Sequence, residues 1–412
     1  MDHKLPIQQA KSDGTIASVL LKVEPAPSVS SLYLHIPFCF HKCHYCDFYS
    51  LANTNHEDFV GFVARMGQEL EAAGRYLSRP LDTLYIGGGT PTLLGPDLWR
   101  SLIRHIHSHV HLAPDTEWTV EANPETVTPD LMAVLAAGGV NRVSIGCQTF
   151  SPTHLKTLER WHEPSSVVAA VESARDAGIE NISLDLIYAI PGQTLGQWED
   201  DLSQALALHP QHLSCYALTF EPGTPLAVKL SRGLIDTADA DLEADMFTLT
   251  RRLLIDSGFC AYEVSNFARA GRESRHNLAY WLNMDWMACG PSASGHVAGI
   301  RWKNRASLSE YLHTSTPWPT ITDLEMPQPA RALAERLMMG LRLARGLPYE
   351  SLLADAEAIG ARVSFVAALG PLIDAEHVIV DQHKHLCLTE QGLLLADSVF
   401  RQLMSAVFDP NC

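Results

Sequence analysis

Three cysteines crowd together in Cys39-Phe-His-Lys-Cys43-His-Tyr-Cys46, a C-x-x-x-C-x-x-C spacing directly after a strand-like run. Thiolates so spaced can ligate three corners of a cuboidal iron–sulfur cluster, leaving the fourth iron open to a small molecule. The same residues support two other chemistries, a zinc site completed by His41 or His44 and a reactive thiol patch. Further polar or backbone groups sit at the ends of apolar runs. Gly87-Gly88-Gly89 lacks Cβ atoms, so its backbone can approach a ligand closely, although such a triplet also suits a plain strand-to-helix turn. Glu121 and Asp185 can accept from hydroxyls or a cation, although each alone also suits a helix cap, and Arg160, by itself a solvated helix residue, could clamp a carboxylate in a charge-assisted fork. Neither G-x-G-x-x-G nor a G-K-S/T loop is present, which argues against nucleotide-phosphate binding.

A second constellation is His276-Asn277-Leu-Ala-Tyr280-Trp281. A neutral imidazole is a competent axial iron ligand, and Tyr280 and Trp281 offer flat surfaces for a porphyrin. In a helix, His276 and Tyr280 share a face at i, i+4. The plainer reading is a packed histidine beside aromatics. Downstream, Cys289 and His296 are candidate second ligands. His105, His107, His109 and His111 alternate, but they end a helix-like stretch, where cationic histidines favour the helix dipole over a metal. Cys147, Cys215, Cys260, Cys387 and Cys412 are scattered and read as core or surface thiols.

These residues need a scaffold, and the chain supplies a regular one. Strand-like runs Leu32–Ile36, Thr83–Gly87, Glu117–Ala122, Arg142–Gly146, Asn181–Ile187 and Leu213–Leu218 alternate with amphipathic stretches such as Glu57–Gly74, Pro129–Ala137, Ser165–Ala177 and Leu195–Leu208. Gly138–Gly139 and Gly178 stand where left-handed helix caps are expected. Repeated strand–helix units predict a parallel sheet, either open or curled into a partial barrel, with ligands at its strand ends. Beyond it come a helix over Ala238–Ser257, a Gly- and aromatic-rich extension, a Pro-rich segment read as a linker over 314–329, and a C-terminal module over 330–412. That module pairs helices Arg331–Arg345, Tyr349–Ala358 and Glu390–Ala406 with a hairpin of His377–Val380 and His385–Leu388, a winged-helix-like arrangement. Residues 1–30 read as a flexible tail, 31–235 as the core and 236–313 as the extension carrying the His276 hexapeptide.

Composition bounds the class. The 412 residues hold 30 Lys and Arg against 47 Asp and Glu, a net charge of −17, which is unlike a nucleic-acid binder. With no run of about 18 apolar residues and no signal-like leader, the expectation is a cytoplasmic protein with its nine cysteines reduced and no membrane span.

The cysteine loop resembles that of the radical S-adenosylmethionine (SAM) proteins. Its surroundings, Tyr33-Leu-His-Ile-Pro-Phe-Cys39 through Cys46-Asp-Phe48, resemble the coproporphyrinogen oxidase-like branch. Further matches follow in order: Gly87-Gly-Gly-Thr90-Pro91, Glu121-Ala-Asn-Pro124, Ser144-Ile-Gly-Cys-Gln148, Arg160, and Asp185 through Gln193. The resemblance covers residues 31–310, more weakly the remainder. It implies an α/β fold with a partial (β/α)6 barrel, and a 4Fe-4S cluster on Cys39, Cys43 and Cys46. It also implies SAM held by Tyr33, Tyr45, Gly88, Gly89, Thr90, Glu121, Gln148, Arg160 and Asp185. In such proteins an external electron donor reduces the cluster, and SAM is split into methionine and a 5′-deoxyadenosyl radical.

Two departures separate this chain from the oxidases. Phe48 occupies the position of a further cysteine, and the tail before Ser31 lacks the longer N-terminal segment associated with that enzyme. The H-N-x-x-Y-W hexapeptide resembles the signature of HemW-type haem chaperones. This resemblance implies haem binding at His276, Asn277, Tyr280 and Trp281, transfer to a haem-accepting protein, and no coproporphyrinogen oxidase activity. The alternative is an oxygen-independent coproporphyrinogen III oxidase. A homodimer is compatible with either.

Overall fold

Alternation within the strands sets the architecture. The computed structural model describes residues 14–20, 29–52, 54–77 and 79–408. Strands β1 (Ser31–Ile36), β2 (Leu81–Gly88), β3 (Leu112–Ala122), β4 (Arg142–Gln148), β5 (Asn181–Tyr188) and β6 (His212–Ala217) lie side by side in chain order, all parallel. On one face Leu34, Ile86, Val120, Ile145 and Leu184 are wholly buried in the main apolar core. The intervening residues are polar: His35, Thr119, Arg142, Ser144, Ser183 and His212 are buried as well. A sheet sandwiched between helices would be apolar on both faces. One polar face therefore marks the lumen of a partial (β/α)6 barrel.

Several crossover helices are fixed by local chemistry. His56–Ala73 starts at an Asn55–Asp58 capping box, and Leu195–Ala207 at a Thr194–Gln197 box. Gly139 (φ 105°) closes Pro129–Gly138 in the left-handed region, and Gly178 (φ 88°) follows Pro164–Asp176, as the sequence predicts for both.

The sheet continues beyond the six strands. β8 (Asn266–Ala268) adds antiparallel to β6, β7 (Cys260–Ala261) pairs antiparallel with β8, and β9 (Met287–Cys289) pairs parallel with β1. Ser294–Val297, Ile300–Asn304 and Ile321–Glu325 form a separate antiparallel sheet. That last strand lies inside the segment expected to be a linker. Trp318 there is buried, and the Arg65 side chain donates to the carbonyls of Thr316 and Pro317, both at 3.0 Å. Pro317, Pro319, Pro327 and Pro329 flank an ordered edge strand, so segment 314–329 is folded onto the core. Part of the expected tail is docked likewise, with Ile16 and Leu20 buried and Thr15 bridging to Thr320. Residues 1–13 and 21–28 lie outside the described residues.

The C-terminal part has its own apolar core, containing Leu337, Leu352, Phe365, Leu386 and Leu403. The expected hairpin is present as Val378–Val380 against His385–Leu388. The expected final helix is broken at Leu395 into Glu390–Leu394 and Ala396–Phe408. A helix unforeseen in the sequence, Arg362–Asp374, carries Pro371 and no side-chain cap. No helix among the described residues is long and apolar enough to cross a membrane.

Candidate cluster and cofactor site

The C-terminal ends of the strands open into a cavity of about 1100 Å³. Cys39, Cys43 and Cys46 line it from the loop after β1. Backbone bonds brace this loop: Cys39 N–H donates to Leu51 O (3.0 Å) and Leu51 N–H to Pro37 O (2.7 Å). Two donors reach the sulfurs, Thr90 Oγ1 to Cys39 Sγ at 3.6 Å and Arg160 Nη1 to Cys43 Sγ at 3.5 Å. Burial raises the Cys39 thiol and pushes that of Cys46 up to about 11, the reverse of what a reactive thiol patch requires. The histidines that zinc would need are packed against other side chains, although His41 Nε2 itself has no hydrogen-bond partner. His41 stacks on Trp161 at 4.4 Å, and His44 lies 3.1 Å from Lys229 Nζ. Among the described residues no three His, Cys, Asp or Glu groups are gathered to hold a single metal ion. A three-thiol donor set without a nitrogen ligand, facing a roomy cavity, fits a cluster that binds three cysteines at three separate corners.

The strand ends contribute the remaining walls. Gly88, Gly89, Thr90, Glu121, Gln148, Arg160, Asp185 and Tyr45 all line the same cavity. The glycines are required by protein neighbours rather than by a ligand. A Cβ on Gly87 would lie 2.6 Å from Glu121 Oε2, one on Gly88 (φ 111°) 2.5 Å from the His35 ring, and one on Gly89 2.5 Å from Phe38 O. Their amides are taken: Gly88 N–H donates to Glu121 Oε2 (3.0 Å), Gly89 N–H to Ile36 O (2.7 Å) and Thr90 N–H to Phe38 O (2.6 Å). The triplet can thus meet a ligand only through its carbonyl oxygens, acceptors suited to an ammonium group.

Glu121 also accepts from Tyr85 OH at 2.8 Å, and Asp185 sits in a cradle of hydroxyls, with Ser144 Oγ at 3.0 Å from both its oxygens and Ser183 Oγ at 3.3 Å. Burial raises the pKa of both carboxyls. Arg160 is aimed by Asn123 Oδ1 (2.8 Å) and Gly146 O (2.7 Å). Gln148 ends β4 with φ 64°, turning its amide over Gly146. Tyr33 departs from its expected place. It is outside the cavity wall, hydrogen-bonded to His35 Nδ1 at 3.0 Å and stacked on Tyr85.

The H-N-x-x-Y-W segment forms the helix Arg275–Trp281, packed inside the barrel. His276 is 1% exposed, and both ring nitrogens are occupied, Nδ1 by Thr83 Oγ1 (2.8 Å) and Nε2 by Tyr280 OH (2.9 Å). Glu117 accepts from the backbone N–H groups of Arg275 and His276 at 3.1 and 3.2 Å. The packed-histidine reading describes this conformation, and of the four motif residues Asn277 alone lines the cavity. Tyr280 is held edge-on to Trp286, while Trp281 lies under the Arg342 guanidinium, which also covers Phe400. Cys289 and His296 are buried away from the cavity, His296 Nδ1 bonding Met284 O at 2.9 Å. His107 bonds Gly138 O at 2.9 Å, a structural contact between helices.

Several cavity residues escaped the sequence reading. Tyr85 shows itself only through the registry of neighbouring strands, and Asn123, although inside the Glu121–Pro124 match, is given no role there. Leu393–Ser398 and Arg401 reach the cavity from the C-terminal part, far away in the chain. Arg142 is the third kind, a charge at a strand start to which the sequence reading assigns no role.

Known proteins resemble this chain in sequence and fold. The model of the radical SAM superfamily matches residues 33–205, and that of the HemN C-terminal domain matches residues 328–395. The relative named "Heme chaperone HemW" of Mycobacterium tuberculosis is 37% identical over 381 residues, 90% of this chain and 94% of its own. Its counterpart in Lactococcus lactis is 34% identical over 91% of this chain and 97% of its own. The solved structure of coproporphyrinogen III oxidase (HemN) from Escherichia coli has the same fold, with a TM-score of 0.80 at 22% identity, covering 94% of this chain and 92% of that one. By this likeness along nearly its whole length, the chain belongs to the HemW family within the radical SAM superfamily.

Proposed function

We propose that this protein is a haem chaperone that holds a 4Fe-4S cluster and SAM in its barrel, binds haem, and passes the haem to an acceptor protein. One observation carries the cofactor part of the reading: Cys39, Cys43 and Cys46 share one cavity with Gly88, Gly89, Thr90, Glu121, Gln148, Arg160 and Asp185. The haem part rests on the family and on the hexapeptide of His276, Asn277, Tyr280 and Trp281.

Residue by residue, the chain's work is binding and orientation. The three cysteines would hold the cluster, which when reduced by an electron donor supplies the electron for cleaving SAM. The carbonyls of Gly88 and Gly89 offer acceptors to the methionine ammonium, and Arg160 a fork to its carboxylate. Glu121 and Asp185, already fixed by Tyr85 and the serines, keep lone pairs for ribose hydroxyls. Tyr45 closes the floor of the cysteine loop, in contact with the small apolar cluster of Leu158, Ile187 and Leu226. For His276 to reach iron, the helix Arg275–Trp281 must first leave its hydrogen-bonded seat.

The oxidase reading is disfavoured by Phe48, which stands exposed at the cavity rim where the oxidases carry another cysteine. The test is a pair of assays on anaerobically reconstituted protein in one buffer. Haem titration should give a saturable complex that apo-acceptor haemoproteins discharge, and coproporphyrinogen III with SAM and reductant should stay unchanged. Formation of protoporphyrinogen would overturn the chaperone reading in favour of the enzyme.

A further inference from the structure

The inner face of β4 carries a charge that the cofactor site leaves unused. Arg142 is 2% exposed, on the same face as Ser144 and Gly146, and it lines the cavity. A buried guanidinium ordinarily has an ion pair and several hydrogen bonds, because its five N–H donors are costly to leave unmet. Arg142 has neither among the described residues. No carboxylate oxygen lies within the 4.0 Å of an ion pair, no side chain or carbonyl accepts from the guanidinium, and its Nε is occluded without a partner. The two nearest acidic influences, Glu121 and Asp185, have their oxygens turned to Tyr85, Gly88 and the serines. Arg160, by contrast, is tied to Asn123, Gly146 and Cys43. Asn277 offers a second amide donor to the same cavity.

We infer that Arg142 is an anion-binding residue of the barrel lumen, which takes a carboxylate of the ligand occupying the cavity. A planar fork of donors with no protein acceptor matches a carboxylate in two parallel hydrogen bonds. Two ligands could bring that group, a tetrapyrrole through a propionate or SAM through its single carboxylate, which would then be held by Arg142 in place of the Arg160 fork. The tetrapyrrole arm rests on the proposed haem function, and the SAM arm does not.

The test uses the full-length, cluster-reconstituted protein and the variants Arg142→Gln and Arg142→Met. The probes are iron protoporphyrin IX, its dimethyl ester, and SAM. Loss of one charge-assisted bidentate contact should weaken the cognate ligand about ten- to a hundredfold. If the carboxylate is a propionate, Arg142→Gln weakens haem, leaves SAM alone, and binds the dimethyl ester as well as the unaltered protein does. If it belongs to SAM, the SAM affinity falls and both porphyrins are unaffected. If the unaltered protein takes up no haem while the variant loses SAM affinity, the haem function fails and the anion site stands. Relieved of an unpaired buried charge, ligand-free Arg142→Met should melt no lower than the unaltered protein. Unchanged affinity for both haem and SAM overturns the inference. A lowered melting temperature alongside those unchanged affinities identifies a structural counter-ion for Glu121 and Asp185.

Discussion

The cysteine loop and the helix Arg275–Trp281 face the same barrel in opposite states of readiness. The three cysteines are half-buried, receive only long bonds to sulfur, and present their thiols to an open cavity. His276 is sealed, with each ring nitrogen and its backbone N–H paired to protein. The first region is built for immediate occupancy, and the second has to exchange internal hydrogen bonds for any ligand it takes. Proximity in one fold therefore does not make two binding motifs equivalent. A ligand at the first site costs little rearrangement, whereas one at the second must repay a packed helix.

The largest expected effect comes from the open region. Replacing Cys39, Cys43 and Cys46 together by Ala should abolish the brown chromophore after anaerobic reconstitution, with iron and sulfide falling to background. The far-ultraviolet dichroism should persist, since the loop's backbone bonds to Leu51 and Pro37 do not use the thiols. Retained iron and sulfide would erase the contrast, because the cluster would then lie elsewhere.

In the sealed region the main cost is in stability. His276→Ala removes a buried ring and strands the Thr83 and Tyr280 hydroxyls, a loss of about 2–4 kcal/mol in urea unfolding. In the unaltered protein the rate of haem uptake should level off as haem concentration rises, limited by departure of the helix. A rate that climbs linearly, or a variant as stable as the parent, would show an imidazole already free.

The two regions were also unequally legible in the amino-acid sequence. The six parallel strands could be located because Val, Ile and Leu alternate with polar residues and the helices carry strong caps. The cysteine spacing and the ordered strand-end residues named the cavity before any coordinates did. The state of His276 could not be read, because Thr83 and Glu117, the residues that seal it, are more than 150 positions away in the chain. Distance along the chain also hid β9, whose pairing with β1 joins residues 287–289 to 32–34. The helix Arg362–Asp374 was masked by Pro371, and the strand Ile321–Glu325 by the prolines around it. Arg142 received no role, since nothing local reveals that a strand's polar face turns into a lumen.

Acid sharpens the comparison through the sealed histidine. Burial lowers the His276 pKa to about 3 from its usual 6.5. Below pH 6.5 the unfolded chain gains a proton at this position and the folded chain does not. Stability from this group is therefore lost as pH falls, by about 1.4 kcal/mol per unit down to the folded value. His35, lowered to about 4 by burial, acts in the same sense. Glu69, pushed up to about 7, and Asp201, up to about 6, act oppositely, because the folded state binds their protons first as pH drops. The net profile mixes these signs, so the informative quantity is the difference between the unaltered protein and His276→Gln. That difference should shrink from pH 6.5 to 4.5 at close to one proton's slope. A constant difference would place His276 in contact with water and end its description as sealed.

The finest distinction concerns the open region's own hydrogen bonds. Thr90 is 7% exposed, and its hydroxyl lies 3.6 Å from Cys39 Sγ. A donor to a ligating sulfur stabilises the more negative, reduced cluster, so its removal makes reduction harder. Thr90→Val keeps the shape and deletes only the donor, which isolates this effect from packing. Taking about 0.5–1.5 kcal/mol for the bond, the cluster's one-electron potential should fall by roughly 20–60 mV, with cluster content unchanged. Spectroelectrochemical titration of both proteins reads the shift directly. An unmoved potential would mean that the hydroxyl does not reach the coordinated sulfur, and that Cys39 is as unencumbered as the open character of its loop would lead one to expect.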